Sequence, residues 1–167
     1  MAANEAAAVA ACKAYAEAQE IYRRTDWNQD GVLEYAQSLG GDFSLYEKTA
    51  GKGDVKLVDQ DFVNAECRGE VPGSARAPKF GYVLKILKAQ GPKAPGGQRS
   101  YLEENRMAKG YALVACPFVY NGTGRNTFLI NHNGTVYECD LGPETHKIVN
   151  QMTEFNPDPK QGWKQAD

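Results

Sequence analysis

Residues 26–34 read Asp-Trp-Asn-Gln-Asp-Gly-Val-Leu-Glu, and no other stretch of the chain places oxygen donors so regularly. Side-chain oxygens at the first, third and fifth positions, a glycine at the sixth for a sharp turn and a carboxylate at the ninth form the front half of a calcium loop. The candidate ligands are Asp26, Asn28, Asp30, the Val32 carbonyl and Glu34, and the candidate cofactor is Ca2+. The twelfth position is Gln37, which cannot supply the bidentate carboxylate of an EF-hand. A second reading stays open: Asp26 and Asp30 form Asx turns, with Asn28 and Gly31 supplying turn geometry, and no metal is involved.

Other chemistry finds little support. The only two histidines, His132 and His146, have no metal-ligand spacing to each other, to a cysteine or to a carboxylate, and His132 beside a turn is expected to be exposed. Gly122-Thr123-Gly124-Arg125 and Gly51-Lys52-Gly53 lack the strand, helix and following Ser or Thr of a phosphate loop, so each reads as a turn. Glu103 and Glu104 sit together on a surface segment, with nothing to bury one and separate their pKa values. No catalytic residue and no enzymatic activity are expected. Asn121 and Asn133 begin Asn-Gly-Thr sequons, the second being a hairpin turn in its own right.

The 167 residues carry a net charge of −2 at a pI near 5.8. That balance exerts no pull toward nucleic acid or anionic lipid. One domain of this length buries roughly two-thirds of its unfolded surface without disulfides or metal. No apolar run approaches the roughly 20 residues of a spanning helix.

Four segments must position these residues. Residues 1–25 are alanine-rich and predict a long helix from Asn4 to Arg24, with Asn4 as N-cap and Glu5 complementing the dipole. Its inner stripe is Ala8, Cys12, Tyr15, Gln19 and Tyr22, at steps of four and three. Residues 26–79 form a loop region with a short helix over 55–67, capped by Asp59 and turning Leu57, Val58, Phe62, Val63 and Ala65 inward. Phe43, Leu45 and Tyr46 make a short apolar anchor. Residues 80–143 carry strands at 82–87, 110–118, 126–132 and 135–141, with Asn133-Gly134 as a type I′ hairpin turn. Residues 144–167 add a helix over 144–152 with Ile148, Val149 and Met152 inward, and Trp163 as the last anchor. The fold expected is α+β: a long N-terminal helix packed on an antiparallel sheet of about four strands.

The type I′ register sets Phe128 opposite Cys139 and near Cys116, so those cysteines lie about 9–10 Å apart, too far to bond. Cys12 or Cys67 remain as partners, and free buried thiols are the other reading.

Phe80-Gly81-Tyr82, Ala89-Gln90-Gly91-Pro92, Ala94-Pro95-Gly96-Gly97, Tyr111-Ala112-Leu113-Val114-Ala115, Asn133-Gly134 and Asp140-Leu141-Gly142-Pro143 resemble the bacterial family of unknown function DUF2950. The first half, with Asn4-Glu5-Ala6-Ala7-Ala8 and Asp30-Gly31-Val32-Leu33-Glu34-Tyr35-Ala36, is similar to that family too. Members often carry an additional exported N-terminal region. The order of helix, loop region and antiparallel sheet also resembles the soluble part of type IV pilins and pseudopilins. That resemblance implies a periplasmic or extracellular bacterial protein, with membrane contact only through an upstream segment. It implies packing with its own copies or related pilin-like subunits through the helix.

Three functions follow in order. The first is an exported, non-enzymatic, pilin-like interaction module, stabilised by calcium. The second is a stand-alone periplasmic binding domain in which the loop from Gln90 to Gly97 and Tyr82, Tyr101 and Tyr111 line a cleft. An enzyme is the third.

Overall fold

The computed structural model describes residues 1–49 and 53–166. Helix α1 runs Ala2–Tyr22. Its alanines impose little side-chain entropy cost and its apolar stripe supplies a reason to dock. The first two strands, β1 (Tyr46–Thr49) and β2 (Gly53–Lys56), pair as a ribbon. Helix α2 (Gln60–Ala65) is capped by Asp59, whose carboxylate accepts the Phe62 N–H at 3.1 Å. The cap is therefore where the sequence places it, but Val55 and Lys56 belong to a strand, and the expected helix is shorter at both ends. The turn expected around Lys52 lies outside the described residues.

Strand β3 (Tyr82–Leu87) opens the main sheet and is followed by two small ribbons, β4 (Ala89–Gln90) with β5 (Arg99–Ser100), and β6 (Leu102–Glu103) with β7 (Arg106–Met107). Then come β8 (Ala112–Pro117), β9 (Thr127–Asn131) and β10 (Val136–Cys139), helix α3 (Thr145–Gln151) and the short β11 (Lys164–Gln165). The main sheet has the order β11-β10-β9-β8-β3 and is antiparallel throughout. It has five strands where about four were expected, because the C-terminal tail returns to pair with β10.

The two faces of the sheet hold different partners. Alternation along β3 puts Tyr82 and Lys85 on opposite sides. α1 packs across β8, β9 and β10, and the Tyr15 hydroxyl donates to the Ala112 carbonyl at 3.2 Å. On the other side the Lys85 ammonium donates to the carbonyls of Val149, Asn150 and Met152 at 2.8–3.2 Å and closes the end of α3. A cation there satisfies carbonyls that the helix leaves without intrahelical donors.

The stripe predicted for α1 is buried in full: Ala8, Cys12, Tyr15, Gln19 and Tyr22 all face the core. Its N-terminus differs. Asn4 lies inside the helix and donates to the Thr123 carbonyl, 2.9 Å away. Glu5 Oε1 accepts the N–H groups of Arg125 and Asn126 at 2.9 and 3.0 Å. Both side chains thus tie α1 to the β8–β9 loop instead of capping the helix.

The β9–β10 turn also departs from expectation. Gly134 donates its N–H to the Asn131 carbonyl and adopts φ +85°, while Asn133 keeps a negative φ. This is a longer turn closed by a left-handed glycine, so Phe128 pairs with Glu138 and Thr127 with Cys139. A slip of one residue moves every side chain of β10 to the other face.

On α3, Val149 is buried, but Ile148 is 39 % exposed. Trp163 is 5 % exposed and packs as expected.

Candidate functional site

The loop after α1 is wound by its own side chains. Asp26 accepts the N–H groups of Asp30 and Gly31 at 3.3 and 2.8 Å, and Asp30 accepts that of Val32 at 2.9 Å. Gly31 takes φ +86°, the turn conformation that glycine adopts without strain. Asn28 Nδ2 donates to Asp30 Oδ2 at 3.2 Å and to Glu34 Oε2 at 3.3 Å, while its Oδ1 accepts the Asp30 N–H at 3.3 Å, so three of the predicted ligand residues meet around an amide nitrogen. Trp27 stacks near Tyr22 and donates its indole N–H to the Tyr22 carbonyl, pinning the loop to the end of α1.

Two features of this loop were not legible in its sequence. Arg106, on β7, places Nε 2.6 Å from Asp30 Oδ2 and holds that carboxyl below its usual pKa. Gln37, at the twelfth loop position, turns away and donates to the Asn105 carbonyl at 2.7 Å. Burial raises the Glu34 pKa, and the neighbouring Asp30 and Asp26 charges act in the same direction. Among the described residues no three His, Cys, Asp or Glu side chains gather as a metal cluster. A cation here would therefore be held by few carboxylates, and the Asn28 amide would have to turn its oxygen toward them to join the Val32 carbonyl in completing the set. That donor set, all oxygen, suits calcium better than a softer metal.

The proposed tyrosine cleft does not form. Tyr82, Tyr101 and Tyr111 are each at most 1 % exposed. Their hydroxyls are spent on the Asn126 carbonyl, Gln90 Oε1 and, for Tyr111, Glu20 Oε1 at 3.0 Å with the Ala16 carbonyl at 3.3 Å. The Gln90–Gly97 loop is filled by the Gln90 amide, which donates to the carbonyls of Pro95 and Gly97. Buried polar side chains paired in this way close the loop on itself.

His132 is half-buried, contrary to expectation, wedged beside Tyr101 and Tyr111 with Nε2 2.9 Å from Arg99 Nη2. His146 Nε2 lies 2.8 Å from the Pro117 carbonyl. All four cysteines are free and buried. Burial pushes the Cys12 and Cys116 thiols up to about 12, so neither is a thiolate nucleophile at neutral pH.

The outer face of α1 is open. Ala2, Ala3, Ala6 and Ala10 are exposed along its first half, and Lys13 and Glu17 continue that face. On the opposite side of the sheet a groove of about 540 Å³ lies between α3 and the C-terminal segment. The sequence gives no signal for it, since its walls come from four separated segments.

Residues 1–166 match the model of a family described as a protein of unknown function, DUF2950. The chain belongs to that family. No curated protein and no solved structure matches it.

Proposed function

We propose that this member of the family is a non-enzymatic interaction module of pilin-like design, working in the periplasm or outside a bacterial cell. It assembles with further copies of itself through the outer face of α1. The observation that carries the reading is the division of α1 into two faces. The inner face, from Ala8 to Tyr22, is committed to the sheet, while the outer face offers the small side chains of Ala2, Ala3, Ala6 and Ala10. Small residues let a second helix approach closely, and a helix already anchored on its sheet loses little freedom on doing so.

The order of elements supports the pilin-like reading: a long helix, an irregular region, then an antiparallel sheet packed across the helix. The absence of enzymatic activity is supported by the side chains that most often catalyse. Both histidines are tied to structural partners and all four thiols are buried. Calcium in the 26–34 loop is part of the same proposal, supported by the convergence of Asn28, Asp30 and Glu34. It would fasten the loop that leads out of α1 and so fix the helix against the domain.

Light scattering over a concentration series tests the assembly. The unmodified protein should gain mass with concentration, and Ala6→Arg with Ala10→Arg should stay monomeric with unchanged melting temperature. A monomer at every concentration in both proteins overturns the reading, as does undiminished assembly of the double variant. Tyr15→Asp serves as the contrast, since a charge on the inner face should unfold the monomer itself.

A further inference from the structure

The groove on the sheet face opposite α1 has a composition that specifies a ligand class. Its floor is Leu129 of β9, which pairs with Val114 and through it with Lys85, the residue that meets α3. Ile148 and Met152 from α3 and its end form one wall, and Trp163 forms part of the other. Ile148 is 39 % exposed although it lies on a helix packed against the core. A large side chain left open beside Met152 and Trp163 is an apolar surface with room in front of it.

The polar part of the groove carries one sign of charge. Among the described residues Asp140 and Glu154 line it, and no lysine, arginine or histidine does. Asp140 is already occupied: it accepts from the Tyr120 hydroxyl and the Gly142 N–H, and Arg125 Nε lies 3.2 Å away. Glu154 is different. It is half-buried, and no hydrogen bond or ion pair engages its carboxylate among the described residues. A carboxylate partly withdrawn from water and left without a donor favours a cation more than an exposed one does.

We propose that this groove binds a small organic cation, an ammonium or guanidinium group carried on an apolar body. The apolar part lies over Leu129, Ile148, Met152 and Trp163, and the charged group meets Glu154. The volume of about 540 Å³ falls within the roughly 300–1,000 Å³ of small-molecule pockets. Because the groove and the outer face of α1 lie on opposite sides of the sheet, the site is independent of the assembly proposed above. Either can fail alone.

Phenethylamine and 3-phenylpropionate make a matched pair of probes, alike in apolar body and opposite in charge. In a titration of the full chain followed by nuclear magnetic resonance, phenethylamine should shift the Trp163 indole N–H saturably and 3-phenylpropionate should leave it in place. Glu154→Gln, which removes no contact of the fold, should weaken phenethylamine binding by about tenfold. Equal binding of the two probes overturns the proposal, as does no movement of the Trp163 signal or an unchanged affinity in Glu154→Gln. A lysine-containing tripeptide that binds where phenethylamine does not overturns it too, because the site would then belong to a protein partner.

Discussion

Arg106 reaches across the fold to Asp30, and its Nε stands 2.6 Å from a carboxylate oxygen that a calcium ion would need. The pair joins the loop after α1 to the β6–β7 ribbon, beside a backbone bond from the Tyr35 N–H to the Met107 carbonyl. In the calcium site proposed above, arginine and the ion would compete for one side chain. Thermal melts with and without calcium should show a rise in the unmodified protein, a larger rise in Arg106→Gln, and none when Asp26→Ala and Asp30→Ala are combined. At a calcium concentration one hundred times Kd the rise is worth about 2.7 kcal/mol, or roughly 5–10 °C for a domain of this size. The same rise in the double aspartate variant would remove calcium from the loop.

Gln19 does the work of a strand partner from within a helix. Its Oε1 accepts the Ala36 N–H and its Nε2 donates to the Ala36 carbonyl, both at 2.8 Å, with a further donation to the Tyr15 hydroxyl at 3.1 Å. Gln19 is 0 % exposed, so no water replaces it. Gln19→Leu keeps much of the volume and strands both polar groups of Ala36, at a cost of roughly 2–5 kcal/mol. Urea unfolding should show the midpoint falling with the slope unchanged. A midpoint within error of the parent would mean that Ala36 finds other partners.

What could be read from the chain, and what could not, divides along the range of the forces involved. Helix α1, its buried stripe, the Asp59 cap and strand β3 follow from spacing within a few residues, and all are found. The register of β9 against β10 is also local, yet it slips by one. Asn133-Gly134 suits a type I′ turn, but it also suits a longer turn that uses only the glycine's positive φ. β11 was not foreseen because Lys164 and Gln165 have no alternation of their own and pair only after the tail has folded back. Asn4 and Glu5 look like a helix start, and it is the β8–β9 loop, 119 or more residues away, that gives them other partners. The donor pattern of the 26–34 loop is local and legible, whereas the Arg106 pairing with Asp30 is not, since it depends on where β7 lies.

The thiols supply a test of the core. Cys12, Cys67, Cys116 and Cys139 are all buried and unpaired, and burial raises each pKa. Native protein treated with N-ethylmaleimide should stay unmodified at Cys12 and Cys116, and all four should label in denaturant without prior reduction. Intact mass checks both. A requirement for reductant before labelling would reveal a disulfide and overturn the free-thiol arrangement.

His132 gives the fold a dependence on pH whose sign is fixed. Burial lowers its pKa from the ordinary 6.5, and the Arg99 guanidinium lowers it further. Tyr101 and Tyr111 pack against the ring; a backbone hydrogen bond at Tyr111 opposes these effects, and the Glu20 carboxylate, hydrogen-bonded to the Tyr111 hydroxyl, adds to it more weakly. The folded state therefore keeps the ring neutral, with Nε2 free to accept from Arg99, at pH values where the unfolded chain has already taken up a proton. Where the unfolded state binds more protons, stability rises with pH. The contribution of His132 is thus complete above pH 6.5 and is lost as pH falls from there toward the folded-state pKa. His132→Gln retains an acceptor for Arg99 and removes the titration. Between pH 7.5 and pH 5 the melting temperature of the parent should fall further than that of the variant, and the gap should open below pH 6.5. Parallel curves would show that His132 titrates alike in both states, and the wedge between Arg99 and Tyr101 would then not govern its charge.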